Sequence, residues 1–156
     1  METKECNNCN LSETYLFEAN LRGANLTKAN LHSAYLSKTD LSKANLRGAN
    51  LTKANLRGAK LIDAKLNAAN LEGADLRHAK LYGADLVAAI FRNANLYGAH
   101  LGGANLEGAD LNGANLGGAN LSGANLTNAR IKDAKISSAR FCFTTMPDAS
   151  IVVDDC

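Results

Sequence analysis

Seven side chains could do chemistry: Cys6, Cys9, Cys142 and Cys156, and His32, His78 and His100. A Cys6-x-x-Cys9 pair suits redox exchange or half a metal site. No βαβ context surrounds it, and no second close pair completes a zinc set, so it is read as a structural cap. Cys142 and Cys156 would close a 15-residue loop. In the chain-entropy picture such a bridge contributes about 3 kcal/mol, wherever the compartment permits oxidation. This is the favoured disulfide; a Cys6–Cys9 bond ranks behind it. The three histidines are scattered, each at an outward place, and read as solvated. No nucleophile elbow, phosphate loop or His pair appears. The sequence therefore predicts no catalytic, cofactor or metal residues and no small-molecule substrate.

What positions these groups is a repeat. Leu11, Leu16, Leu21 and Leu26 begin a series with a step of five that runs unbroken to Phe141. Only Phe91, Ile131, Ile136 and Phe141 depart from Leu. Two residues before each stands Ala, except at Cys9, Thr14 and Thr39. On a helix a step of five turns about 140°, so no stripe forms. On a flat strand an odd step flips successive leucines to opposite faces. Only a chain that turns the same way once per unit aims every Leu and Ala at one axis. A wound β-solenoid is the implied fold, with Leu26, Leu46, Leu66, Leu86, Phe91, Leu106 and Phe141 in its core.

Eleven of the 13 glycines stand two places after the central residue, as Gly48 and Gly58 do. A type II turn needs positive φ there, which glycine reaches freely. Units with Lys28, Lys43, Lys53 or Asp63 at that place are expected to use a second turn geometry. The Asn residues preceding the central Leu are expected to stack as outward polar ladders. The filled axis leaves no room for an internal ligand cavity.

The unit Ala-Asn/Asp-Leu-x-x, as in Ala24-Asn25-Leu26-Thr27-Lys28, resembles the pentapeptide-repeat family over residues 9–141. The resemblance implies an all-β fold, a right-handed quadrilateral β-helix of about seven coils; the period alone does not choose four sides over three. It divides the chain into an N-terminal cap (1–8), a β-helix (9–143) and a C-terminal cap (144–156). The Cys-x-x-Cys opening and the Phe-Cys…Thr-Met-Pro-Asp ending resemble caps of cyanobacterial and chloroplast members. Some members dimerise end to end, and Phe143 and Ile151 could serve that contact, so monomer and end-to-end homodimer both stand.

Charge bounds the partners. The chain carries 17 Lys/Arg and 15 Asp/Glu, net +2, with residues 1–65 at +4. With 20-residue coils, Arg57 and Arg77 share one column with His78 beside them, and Lys60, Lys80 and His100 share the next. They make a candidate basic strip, with Asp63, Asp75 and Asp85 nearby. The leading functional reading is a non-catalytic scaffold for an unknown protein partner. Family analogy adds a DNA mimic that binds DNA gyrase, but mimicry needs an acidic rod. Weak nucleic-acid binding by the strip is the third reading, and nucleic acid is otherwise disfavoured. No apolar run approaches the roughly 18 residues of a membrane span. No signal peptide is visible, which implies cytoplasm, or periplasm or thylakoid lumen had a segment been removed.

Overall fold

The computed structural model describes residues 5–153 and residue 156; the first half of the expected N-terminal cap lies outside them. From residue 5 the chain winds in five-residue sides. Each contributes one parallel β-bridge, and each bridge joins residues 20 apart, from Glu5–Asn25 to Asn125–Thr145. Twenty residues is four units, so each turn has four sides, which the period had left open. The bridged ladder takes in residues 5–8 and 144–145, further at both ends than the repeat motif itself. The four sides begin at residues 5, 10, 15 and 20, and each recurs every 20 residues. They are called here the first to fourth faces.

One unit shows why the winding holds. Leu46 N–H donates to Lys65 O at 2.7 Å, and Gly48 N–H to Asn67 O at 3.0 Å, both in the next coil. Asn50 N–H reaches back to Ala29 O at 2.9 Å. Ala49 N–H closes the corner on Leu46 O at 3.0 Å. Arg47 N–H has no backbone partner and is taken by Asn45 Oδ1 at 3.3 Å. Five amides in sequence are thus satisfied, as burial in a stack requires.

That last bond adds a second role for asparagine to the expected ladders. Each of the thirteen Asn and four Asp that precede a central residue accepts from the N–H two residues on. This Asx bond is local and universal. Ladder bonds join only some of them, as Asn10–Asn30–Asn50 at 3.0 and 3.1 Å.

The expectation of two turn geometries is corrected. Every residue at the glycine place from Asn8 to Phe143 has φ between 51° and 69°, glycine or not. Lys28, Lys43, Lys53 and Asp63 adopt the same left-handed conformation as Gly48. A side chain there costs about 1–2 kcal/mol. The cost is accepted because the corner must deliver one N–H to the next coil and one to its own turn.

Leu26, Leu46, Leu66, Leu86, Phe91 and Leu106 are buried; Phe141 packs against the core but is partly open. Each buried Leu contributes about 1.5–3 kcal/mol. Thr39, at an inward alanine place, is fully buried because its hydroxyl donates to Leu16 O at 2.6 Å. The C-terminal end is closed by β1 (Thr144–Thr145) and β2 (Ile151–Val152), paired antiparallel. Cys142 is bonded to Cys156 beside this hairpin, and Cys6 to Cys9 at the opposite end. Phe143 and Ile151 remain exposed there.

Candidate functional site

The core is filled by side chains, so the outward columns are where chemistry can occur. Lys60, Lys80 and His100 stand on consecutive rungs of the fourth face. Neighbouring rungs are about 4.8 Å apart. Arg57, Arg77 and His78 stand across the corner on the third face, and Gly58 N–H donates to Arg77 O at 2.9 Å. The winding therefore gathers all six residues of the predicted strip along one corner. Arg77 is engaged by Asp75, with Nε to Oδ1 at 2.9 Å and Nη2 to Oδ2 at 2.6 Å. That hydrogen bond holds the Asp75 carboxyl below the usual carboxylate range, and the Arg57 charge adds to it. Arg57, Lys60 and Lys80 are exposed.

Aromatic rings share this corner. Tyr82 stacks on His100, centroids 5.4 Å apart at 23°; Tyr97 meets His78 edge-on at 6.0 Å and 89°. Both tyrosines lie over glycines of the next coil. A Cβ on Gly102 would come within 3.3 Å of Tyr82 Cδ1, and one on Gly117 within 3.2 Å of Tyr97 Cδ2. Gly102 and Gly117, within the glycine-rich stretch 98–123, are thus the floor on which these rings rest. Nearer the N-terminus, Tyr15 and Tyr35 stack in parallel at 4.3 Å, and Lys38 Nζ lies 5.5 Å from the Phe17 ring. Two open grooves follow the third face. One of about 350 Å³ is lined by Phe17, Lys38, Arg57 and His78, another of about 490 Å³ by Tyr97, Gly117, Lys135 and Ile136.

The faces differ in kind. Over residues 15–24 and each 20 on, to 135–144, the third and fourth faces carry nine Lys/Arg against four Asp/Glu, net +5. The first and second faces, residues 5–14 and each 20 on to 125–134 together with 145–149, carry seven against eight, net −1. Tyr15, Phe17, Tyr35, Tyr82 and Tyr97 all belong to the positive pair of faces. Position along the chain does not show this partition; sorting residues by remainder over 20 does. Among the described residues no three His, Cys, Asp or Glu side chains gather as a metal set.

On the second face, Asp110 is buried between Arg92 and Arg130. Burial pushes its carboxyl up, but the Arg92 hydrogen bond, the Asn112 N–H and both guanidinium charges outweigh it, and the net shift is downward. The buried carboxylate of this cluster is held by both guanidinium groups, which themselves reach solvent.

The family described as Pentapeptide repeats matches residues 5–42, 29–67, 69–108 and 104–142. Among solved structures, the chain is similar to HetL, a pentapeptide repeat protein involved in heterocyst differentiation regulation in the cyanobacterium Nostoc sp. strain PCC 7120. Identity is 31%, over 95% of this chain and 85% of that one, with a TM-score of 0.42. A pentapeptide repeat protein from the Arabidopsis thaliana thylakoid lumen is 35% identical over 64% of this chain and 66% of its own, TM-score 0.40. Full-length QnrB1, a plasmid-mediated fluoroquinolone resistance protein, is 19% identical over 88% and 81%, TM-score 0.56. No protein of curated function matches the chain.

Proposed function

The chain belongs to the pentapeptide-repeat family, and on that premise we propose that it acts without catalysis, as a rod whose outward columns hold a protein partner. The family's fold is the right-handed quadrilateral β-helix. The observation that carries the reading is the division of labour within the units: Leu and Ala, with Phe91 and Thr39, fill the axis, and most of the remaining positions form outward columns on a repeating 20-residue lattice. Such a lattice presents fixed columns of side chains at low entropic cost, which is the basis of recognition by solenoids. The gyrase-directed alternative asks for an acidic rod, and even the more acidic pair of faces carries only −1; the likeness to QnrB1, at 19% identity, bears on fold alone. The two disulfides support an oxidising compartment such as a periplasm or thylakoid lumen. Among the described residues no helix is long and apolar enough to cross a membrane.

The test is a pull-down from native lysate with the intact rod as bait and a scrambled-face rod as control. A stoichiometric protein retained by the first alone supports the scaffold. Retention of nothing specific across a range of salt defeats it. Inhibition of gyrase supercoiling at low protein concentration would restore the DNA-mimic reading.

A further inference from the structure

We propose that the corner between the third and fourth faces binds single-stranded nucleic acid, with the phosphates on Arg57, Lys60 and Lys80 and the bases on Tyr82 and Tyr97. This goes beyond protein scaffolding, since it gives one pair of faces a ligand class of its own.

Two independent asymmetries carry it. The first is charge: these two faces hold net +5 while the rest of the described winding holds −1. A chain near neutrality has thus concentrated its cations on one side. The acidic groups there are Glu18, paired with Lys38, Asp75, paired with Arg77, Asp40 beside Lys60, and Asp63. They leave the ammonium and guanidinium groups of Arg57, Lys60 and Lys80 exposed. The second is aromatic: Tyr82 is 39% and Tyr97 50% exposed, each beside a glycine of the next coil and in ring contact with a histidine of the strip, His100 and His78. Cations that follow a backbone, interleaved with flat rings on which bases stack, are what sequence-tolerant single-strand binding requires. A duplex hides its bases and would use only the cations. An acidic peptide would also use the cations but has no ring to lay on Tyr97. The grooves on the third face continue the corner in both directions along the rod.

The probe is a fluorescently labelled oligothymidylate, titrated with the full oxidised chain and read by anisotropy. Binding is expected at low salt, with log K falling against log salt at about −0.7 per phosphate engaged. Arg57→Ala/Lys60→Ala/Lys80→Ala should weaken it at least tenfold. Lys28→Ala/Arg47→Ala/Lys53→Ala removes equal charge from the other two faces and should leave it within about twofold. Tyr82→Ala/Tyr97→Ala should cost about fivefold or more with the salt slope unchanged, as loss of stacking does. Circular dichroism confirms that each variant keeps its fold. The proposal is overturned by no binding at low salt, by equal loss in the two triple variants, or by a duplex binding as tightly as the single strand. Polyglutamate binding at equal strength with no response to the tyrosine changes would overturn it in favour of an acidic protein ligand. None of these results touches the scaffold, which the pull-down tests separately.

Discussion

Arg92 and Asp110 are joined on the second face, with Nε 2.5 Å from Oδ2, although the aspartate is buried and the arginine half exposed. Asp110 also accepts the Asn112 N–H at 3.2 Å through its other oxygen, so one carboxylate serves both the ion pair and its own corner. A buried carboxylate survives because both oxygens are engaged, one by Arg92 and Arg130 and the other by the Asn112 N–H.

The folded-state carboxyl of Asp110 is shifted downward, so its contribution to stability is fully present above the ordinary aspartate value of about 3.9 and is lost as pH falls through the lowered one. Urea midpoints measured from about pH 5 downward should decline in the native chain. Asp110→Asn should lower the neutral-pH midpoint, at a cost of about 1–3 kcal/mol, and flatten part of that acid decline. An unchanged acid limb in the variant would show that the ion pair contributes nothing.

Asn70 Oδ1 accepts the Glu72 N–H at 3.0 Å. Asn70→Ala should cost about 0.5–1.5 kcal/mol and speed amide exchange at Glu72, while Asn70→Asp should preserve protection there. Equal protection in all three chains would assign that amide to water.

Ala88 holds φ at 55° with its side chain in solvent. Ala88→Gly relieves about 1–2 kcal/mol of left-handed strain and returns about 0.4–1 kcal/mol through the freer unfolded chain. A small rise in Tm is expected where a glycine ordinarily lowers it. A clear fall would mean that the corner is not strained.

The Cys142–Cys156 bond, 14 residues apart in sequence, ties the tail that carries β2 to the last side of the winding. Reduction should lower Tm, by a loss on the order of 3 kcal/mol from loop closure, and should speed exchange at Ile151 and Val152 before the central rungs. Global loss of protection on reduction would instead make the bond essential to the whole stack.

The five-residue period was enough to assign the interior. Leu46 and Ala49 must both face an axis, because neither helix nor flat strand hides such a series, and both are buried. The period could not say how many units make a turn, since any closed polygon satisfies it. Only the hydrogen bonds between rungs such as Leu46 and Lys65 answer that.

Local chemistry was half legible. Glycine after the central residue signalled positive φ, but Lys53 adopts the same φ because the bonds between coils impose a single corner on every unit, whatever occupies it. Asparagine signalled an outward polar group. Its bond to the second following amide depends on the corner that leaves this amide without a backbone partner. The binding face depended most on tertiary structure. Arg57, Lys60, Tyr82 and Tyr97 are strangers in sequence, and only winding at 20 residues per turn sets them on adjoining faces. The sequence by itself determined which residues of the central coils face the axis, because there burial follows type and period; at the ends it also depends on a covering coil, and Ile136, in phase with the series, is exposed. Tertiary structure decided which outward residues are neighbours, because that depends on the circumference of the coil.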